Sequence, residues 1–188
     1  MRKLISFMHI SLDGFVAGPN GEMDWIKVDQ EIFDHVGSRT RLSDTALYGR
    51  VTYEMMESYW PTAADKPNAT KHDIEHARWY KEVRKIVLST TLVAAETTKV
   101  KVISADIEQQ VGAIKSTTNS DILVFGSPRA THALMRANLI DGYWLFVNPI
   151  VLGSGVPLFS GDHQRSNLQL QSCRRFDCGV VALEYVNG

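Results

Sequence analysis

The chain has 188 residues, of which 44% are hydrophobic and 22% charged, so we expect residues 1–188 to bury one core and form a single domain. The formal charge of −1 provides no basic surface for a phosphate backbone, which argues against nucleic acid as a partner. No apolar run approaches the roughly 20 residues of a membrane span, and no targeting signal stands out, so we expect a cytoplasmic protein without membrane association.

The two cysteines, Cys173 and Cys178, lie near the C-terminus in an apparent hairpin. Neither belongs to a CxxC motif, and no histidine cluster lies nearby. We therefore expect reduced structural thiols and no metal site.

The apolar pattern predicts strands that alternate with helices. In the first half of the chain we expect a strand over 3–10, a helix over 29–40, a strand over 45–48, a helix from 50 to 61 and a helix that ends near 83. Strands over 85–91 and 98–104, a helix over 106–116, a strand over 121–126 and a helix over 127–140 follow. A strand over 141–153 and two antiparallel strands within 167–186 complete the pattern. This order indicates an α/β fold whose sheet is mostly parallel, with an antiparallel edge.

Three strand ends carry residues that suit phosphate. In ALYGRVTYEMM, Gly49 lets an anion approach the backbone, and Arg50 and Thr52 add a cation and a hydroxyl at a helix N-terminus. The alternative for this junction alone is a solvated arginine beside a helix cap.

A similar junction, DILVFGSPRATHALM, runs through Gly126 into a helix with Ser127 at the N-cap, Pro128 at N1 and Arg129 beside them. A third strand end, IVLSTT, offers the hydroxyls of residues 89–91. If the three ends are neighbours on the carboxyl edge of the sheet, they form a crevice suited to a dinucleotide. Because no GxGxxG motif follows the first strand, this is not a Rossmann fingerprint.

The segments SLDGFVAGPNG, YGRVTYE, IVLST, VFGSPRATHALM and NPIVLGSGVPLF, in this order, resemble the dihydrofolate reductase superfamily, and especially the reductase domain of bacterial riboflavin biosynthesis. The resemblance implies a three-layer α/β fold with about eight strands, helices on both faces and NADPH across the carboxyl edge. It also implies the cofactor-binding residues: Gly49, Arg50 and Thr52 at the phosphates, Leu88, Ser89 and Thr90 at the adenosine end, Gly126, Ser127, Arg129 and Ala130 at the pyrophosphate, and Val16, Ala17 and Gly21 in a loop that closes over the nicotinamide.

Asp29 is the candidate catalytic residue. On the predicted helix it precedes Ile32, Phe33 and Val36 by three, four and seven positions, which places its carboxylate on the inward stripe. There its two oxygens can accept paired N–H groups from an aminopyrimidine or pterin ring. The alternative is an acidic residue in the first turn that interacts with the helix dipole.

The resemblance favours a substrate role for Asp29, since folate reductases carry their anchoring acid early in this helix with phenylalanine four residues later. The alignment needs a one-residue gap after Trp25, which leaves Asp24 and Glu31 as rivals. We expect Asp13 to be a structural turn residue, because Asp-Gly directly after a strand is a turn signal.

The remaining substrate-binding candidates are Phe7, His9, Phe33, Thr131 and Phe159. By resemblance, His9 stands where folate reductases have a small residue, and Thr131 stands where they usually have tyrosine. These departures argue against dihydrofolate as the substrate and leave the cofactor site intact. The GSG segment near Phe159 is expected to be a turn between strands, because no lysine or helix follows it.

The sequence therefore predicts an NADPH-dependent reductase that transfers hydride to a small nitrogen heterocycle of the pterin, folate or aminopyrimidine type. The alternatives are dihydrofolate reductase proper, a reductase of 5-amino-6-ribosylaminouracil phosphate, and an NADPH-binding sensor without catalysis. A homodimer is a further expectation, because riboflavin-type relatives are often dimers; the apolar YWLFV strand either supports a dimer or lies in the core.

Overall fold

The computed structural model describes residues 2–92, 97–159, 161 and 165–188. Its strands are β1 (Leu4–Ser11), β2 (Phe15–Ala17), β3 (Thr45–Gly49), β4 (Arg84–Leu88), β5 (Val100–Ile103), β6 (Ile122–Phe125), β7 (Gly142–Asn148), β8 (Val156–Pro157), β9 (Leu168–Arg175) and β10 (Val181–Asn187). Its helices are α1 (Gln30–Thr40), α2 (Arg50–Ala63), α3 (Lys71–Glu82), α4 (Ile107–Thr117) and α5 (Pro128–Arg136).

Eight strands form one sheet in the order β5-β4-β3-β6-β1-β7-β10-β9. The pairs from β5 to β7 are parallel, and β10 is antiparallel to both β7 and β9. The predicted α/β fold, with a mostly parallel sheet and a C-terminal antiparallel hairpin, is confirmed. A separate antiparallel ribbon of β2 and β8 was not predicted, because two or three residues are too few to show a period.

Helices cover both faces of the sheet. On one face, Leu4 and Met8 of β1 pack with Val111 of α4 and Leu134 of α5. On the other face, Ile5 belongs to a core with α1 and α3, against which residues of α2 also pack. Successive side chains of a strand point to opposite faces, so β1 supplies both cores.

Two predicted elements are shorter in the structure. The strand expected over 141–153 ends at Asn148, because Pro149 has no amide hydrogen to continue the ladder. The helix expected over 127–140 ends at Arg136, and Asn138 then takes a left-handed φ of 53°, a conformation that terminates helices. Helix α2 instead continues two residues past Pro61.

The YWLFV segment is a core strand. It lies in β7, between β1 and β10, and Trp144 and Phe146 are almost fully buried. The segment therefore gives no support to a homodimer. Both cysteines are free thiols, as predicted.

Candidate functional site

The three predicted strand ends are neighbours on one edge of the sheet. The order β4-β3-β6 places them side by side, with Gly49 opposite Leu88. The backbone N–H of Gly49 donates a 2.8 Å hydrogen bond to Ser127 Oγ, which joins the second junction to the first. The three strand ends predicted to be neighbours at the carboxyl edge therefore lie side by side.

Ser127 has a different local role from the one predicted. It occupies the N-cap position of α5, but its side chain makes no capping hydrogen bond and its φ is 61°. Its buried hydroxyl donates to the Phe125 carbonyl at 3.1 Å and accepts from Gly49 N. The hydroxyl thus fastens α5 to the end of β3, and its hydrogen is already engaged.

Gly49 and Gly126 are needed where the two junctions meet. A Cβ on Gly49 would lie 3.2 Å from Ser127 Cβ and 3.4 Å from Ala130 Cβ. Gly126 has a φ of +52°, and a Cβ there would approach Thr52 Cγ2 to 3.6 Å. The absence of side chains therefore lets the N-termini of α2 and α5 pack closely.

The charges at the helix starts separate these two helices from the others. Helices α1, α3 and α4 each carry an acidic residue in the first turn, whereas α2 and α5 carry none. Instead, α2 starts at Arg50 and α5 has Arg129 as its second residue. The exposed Arg50 pairs with Glu54 at 2.9 Å, within its own helix. An acid at a helix N-terminus stabilises the dipole, so these two starts are left available to an external anion.

The residues present fit the diphosphate of a dinucleotide. The first turn of each helix has amide groups without intrahelical partners, the two turns converge through Gly49 and Ser127, and both carry an arginine. Thr52 and Ala130 also lie at this convergence. The site therefore supplies N–H donors and cations and no carboxylate from either first turn.

At the end of β4, the predicted adenosine-binding residues are only partly available. Ser89 Oγ accepts from the N–H groups of Thr91 and Leu92 at 3.1 and 2.9 Å, which makes a tight turn. The side chain of Leu88 belongs to the core, so only its backbone can reach a ligand. Thr90 is exposed, and its hydroxyl is the accessible one of the predicted set.

The loop containing Val16, Ala17 and Gly21 follows β1, the next strand along the same edge after β6. Val16 and Ala17 are buried in β2. Gly21 has a φ of +88° and donates from its N–H to the Gly18 carbonyl at 3.0 Å, which closes a turn. This loop therefore follows the strand next to β6, and its predicted role over the nicotinamide stays a prediction.

Asp13 stitches this loop to the glycine-rich turn. Its carboxylate accepts from Ser11 Oγ and from the N–H groups of Leu152 and Gly153. The Ser11 hydrogen bond is the main cause that lowers the pKa of Asp13 to about 2. The structure therefore favours the structural interpretation of Asp13.

Asp29 is the N-cap of α1 and not an interior helical residue. Its Oδ1 accepts from Ile32 N at 2.9 Å, and its side chain is partly exposed. The predicted position of Asp29 on the inward stripe of the helix is wrong, because the helix begins one residue later, at Gln30. The carboxylate retains free acceptor positions, since it has about four lone-pair sites.

The rival acids have other surroundings. Glu31 points toward the hairpin, where it pairs with Arg174 at 2.8 Å, and Asp24 is exposed. Of the three acids, Asp29 is therefore the one that caps α1.

Asn148, which sequence analysis did not single out, brings the start of α1 to the end of β1. Its Oδ1 accepts from Lys27 N at 2.8 Å, and its Nδ2 lies 3.5 Å from His9 Nδ1. The segment that leads to Asp29 is thus held near His9. The available signal was a polar residue at the end of an apolar strand, just before Pro149.

Phe7 and His9 lie on the face of β1 that packs against aromatic side chains of β7. The rings of His9 and Phe146 are 5.0 Å apart, and those of Phe7 and Trp144 are 4.9 Å apart. Burial lowers the pKa of His9 to about 4, so its imidazole is neutral near pH 7. This face offers an uncharged aromatic surface, on which the rings of Phe7 and His9 are inclined at 68° to each other.

Phe33, on α1, stacks on His72 of α3 at 3.9 Å with an interplanar angle of 12°. Trp60 and His76 continue this aromatic wall, with ring centroids 4.0 Å apart. The wall was missed because its members come from three helices.

Two predicted substrate residues lie elsewhere. Phe159 packs against Tyr143 at 5.4 Å, and Tyr143 belongs to the core on the opposite face of the sheet from Phe7 and His9. Phe159 therefore does not line a pocket with them. Thr131 is fully buried in α5, with Oγ1 3.4 Å from the Gly126 carbonyl, so it supports the diphosphate cradle.

Comparisons with known proteins agree with this geometry. The family model described as RibD C-terminal domain matches residues 2–182. The uncharacterized protein YyaP of Bacillus subtilis (strain 168) is 31% identical over 98% of this chain and 94% of its own. A putative riboflavin biosynthesis protein from Shewanella sp. PV-4 superposes with a TM-score of 0.70, at 21% identity and 99% coverage of both chains. Dihydrofolate reductase from Enterococcus faecalis, complexed with NADP(H) and RAB-propyl, superposes with a TM-score of 0.64, at 14% identity, covering 99% of this chain and 96% of its own. The chain therefore shares its fold with these two solved proteins.

Among the residues that the structure describes, none of the helices has the length and apolar character of a membrane span, and no three His, Cys, Asp or Glu side chains are grouped to hold a metal ion.

Proposed function

Because the chain belongs to the RibD C-terminal domain family, we propose that it is an oxidoreductase that uses NADPH to reduce a small nitrogen heterocycle of the pterin, folate or aminopyrimidine type. One observation carries the proposal. The N-termini of α2 and α5 converge through Gly49 and Ser127, without an acidic residue in either first turn and with an arginine in each.

The family resemblance gives the direction of the cofactor, and the strand order is compatible with it. Along the edge, β4, β3, β6 and β1 follow one another. With the diphosphate at β3 and β6, the resemblance assigns the adenosine to β4 and the nicotinamide to β1. The bound cofactor supplies the hydride, and the chain holds it, orients the acceptor and excludes water.

The acceptor then lies between the end of β1 and the start of α1. His9 and Phe7 offer an uncharged aromatic surface, and Phe33 offers an aromatic wall. Asp29 at the start of α1 keeps lone pairs for N–H groups of a heterocycle. A planar ring with adjacent N–H donors suits this combination.

Dihydrofolate itself fits less well. The imidazole of His9 occupies space at the end of β1, packed 5.0 Å from Phe146, and Thr131 is engaged with α5. A reductase of 5-amino-6-ribosylaminouracil phosphate and an NADPH-binding sensor remain the other candidates. The sensor would bind NADPH but would not oxidise it in the presence of any heterocycle.

Thermal unfolding with and without nucleotides tests the cofactor. NADPH should raise the Tm, since a ligand that binds only the folded state stabilises it. NADH should raise the Tm less, because it lacks the extra phosphate of NADPH that Arg50 would contact. Arg50→Ala should narrow the difference between the two nucleotides. Arg78→Ala is a matched control, since Arg78 is an exposed arginine of α3.

If neither nucleotide raises the Tm, the cofactor assignment is wrong. Consumption of NADPH is then measured with pterins, aminopyrimidines, flavins and quinones. Turnover with an aminopyrimidine or pterin supports the proposal, and binding without turnover of any of them favours the sensor.

A further inference from the structure

His132 ties α5 to the ribbon formed by β2 and β8. Its Nε2 lies 3.1 Å from the Pro157 carbonyl and 2.9 Å from the Leu158 carbonyl. Both neighbours are acceptors only, so Nε2 must carry a hydrogen and share it between them. The tie therefore depends on a donor at this one position.

The two carbonyls belong to a segment that supports the loop after β2. Strand β8 pairs with β2, with Phe15 opposite Pro157. Leu158 N donates to the Gly14 carbonyl at 2.9 Å. Gly155 passes so close to the Ala17 carbonyl that a Cβ there would clash with it. A displacement of β8 would therefore displace β2 and the residues that follow it.

The start of α5 carries residues of the proposed diphosphate site. Arg129 and Ala130 lie in its first turn, and His132 follows two residues after Ala130. An α-helix is rigid over so short a distance, with a rise of 1.5 Å per residue. One helix thus contacts the cradle with its start and the β2–β8 ribbon with the adjacent turn.

We propose that His132 is a positioning residue that couples diphosphate binding on α5 to the placement of the loop over residues 18–21. This inference rests on the proposed use of NADPH. When α5 is fixed by the diphosphate, His132 holds β8, and β8 holds β2 and its loop against the end of the cofactor that lies at β1. Without the tie, the cradle still binds phosphates and the loop is no longer aligned with them.

Binding of two ligands separates coupling from general support. NADPH occupies the whole site, whereas 2′-phospho-ADP-ribose is NADPH without its nicotinamide. Dissociation constants are measured by calorimetry for the wild type, His132→Leu and His132→Gln. Arg136→Leu is the matched control, because Arg136 is exposed in the last turn of the same helix.

We expect His132→Leu to weaken NADPH about tenfold, which corresponds to the loss of a hydrogen bond of about 1.4 kcal/mol. Binding of 2′-phospho-ADP-ribose should stay within about twofold of the wild type. His132→Gln should recover most of the loss, because its amide also donates. If His132→Leu does not fold, His132→Asn, whose amide is too short to reach both carbonyls, provides the same comparison.

Equal weakening of both ligands would overturn the coupling, since His132 would then only support α5. Unchanged binding of both ligands would overturn it as well. If the wild type binds neither ligand, the proposed function itself fails. That outcome is distinguishable, because it appears before any variant is compared.

Discussion

Gly49→Ala tests how tightly the two helix starts are packed. The backbone of Gly49 has φ −85° and ψ 164°, which any residue adopts, so the substitution adds no backbone strain. The new Cβ would lie 3.2 Å from Ser127 Cβ and 3.4 Å from Ala130 Cβ. Carbon atoms prefer about 3.5–4.0 Å, so α5 must move away by a few tenths of an ångström.

That movement also stretches the hydrogen bond from Gly49 N to Ser127 Oγ, now 2.8 Å. Overpacking of this kind costs about 1–3 kcal/mol. We expect Gly49→Ala to lower the free energy of unfolding by about 1–2 kcal/mol and to weaken NADPH about tenfold, because the two sets of amide donors no longer converge.

Urea denaturation and NADPH titration measure the two effects. Gly112→Ala is the matched control: Gly112 lies inside α4, and a Cβ there meets nothing within 4 Å. The free energy of unfolding of this control should rise by about 0.5–1 kcal/mol, because alanine is the better helix former. If Gly49→Ala were stabilised like the control and bound NADPH like the wild type, the close packing of the helix starts would have no role in the site.

Two other substitutions address the substrate side. Asp29→Asn should sharply reduce turnover and leave NADPH affinity and stability nearly unchanged, because asparagine also caps helices; a fully active variant in a steady-state assay would assign the role to another residue. Burial holds the pKa of His9 at about 4, below its ordinary 6.5, so the unfolded chain binds the extra proton and the folded chain does not. Stability present above pH 6.5 should therefore fall as the pH drops toward 4, and His9→Gln should reduce this slope in Tm measured against pH. Part of the pH dependence of the Tm should remain in this variant, because burial also lowers the pKa of His76, to about 3. An unchanged slope in His9→Gln would contradict the burial of a neutral imidazole at position 9.

The alternation of strands and helices was predictable, because each apolar run of β3, β4 and β6 is bounded by local signals such as Gly49 and Gly126. The line of strand ends followed from the general behaviour of parallel sheets. Residue contacts across long sequence distances were not predictable. The hydroxyl of Ser127 serves Gly49 and not its own helix, 78 residues apart, and no local pattern announces such a bond.

Errors near the substrate have similar causes. Phe159 was placed in the pocket by resemblance, but the ribbon of β2 and β8 directs its segment over Tyr143 on the other face. Asp29 was assigned a helical position although Asp residues favour the N-cap, which is where the structure has it. The backbone of Asp29 is extended, with φ −140° and ψ 179°, so the helical periodicity does not fix the direction of its side chain.

The convergence of the N-termini of α2 and α5 brings positive charges close together. Each helix start carries roughly half a positive charge, and Arg50 and Arg129 add full charges beside them. Two positive ends packed together repel each other; Glu54 offsets the charge of Arg50 in part, at 2.9 Å, but neither first turn contains a carboxylate. The hydrogen bond between Gly49 and Ser127 and the core beneath β3 and β6 hold them in place. A diphosphate placed between these ends would remove the repulsion and pair the free amides. The geometry that destabilises the ligand-free chain is therefore the same geometry that would make anion binding favourable.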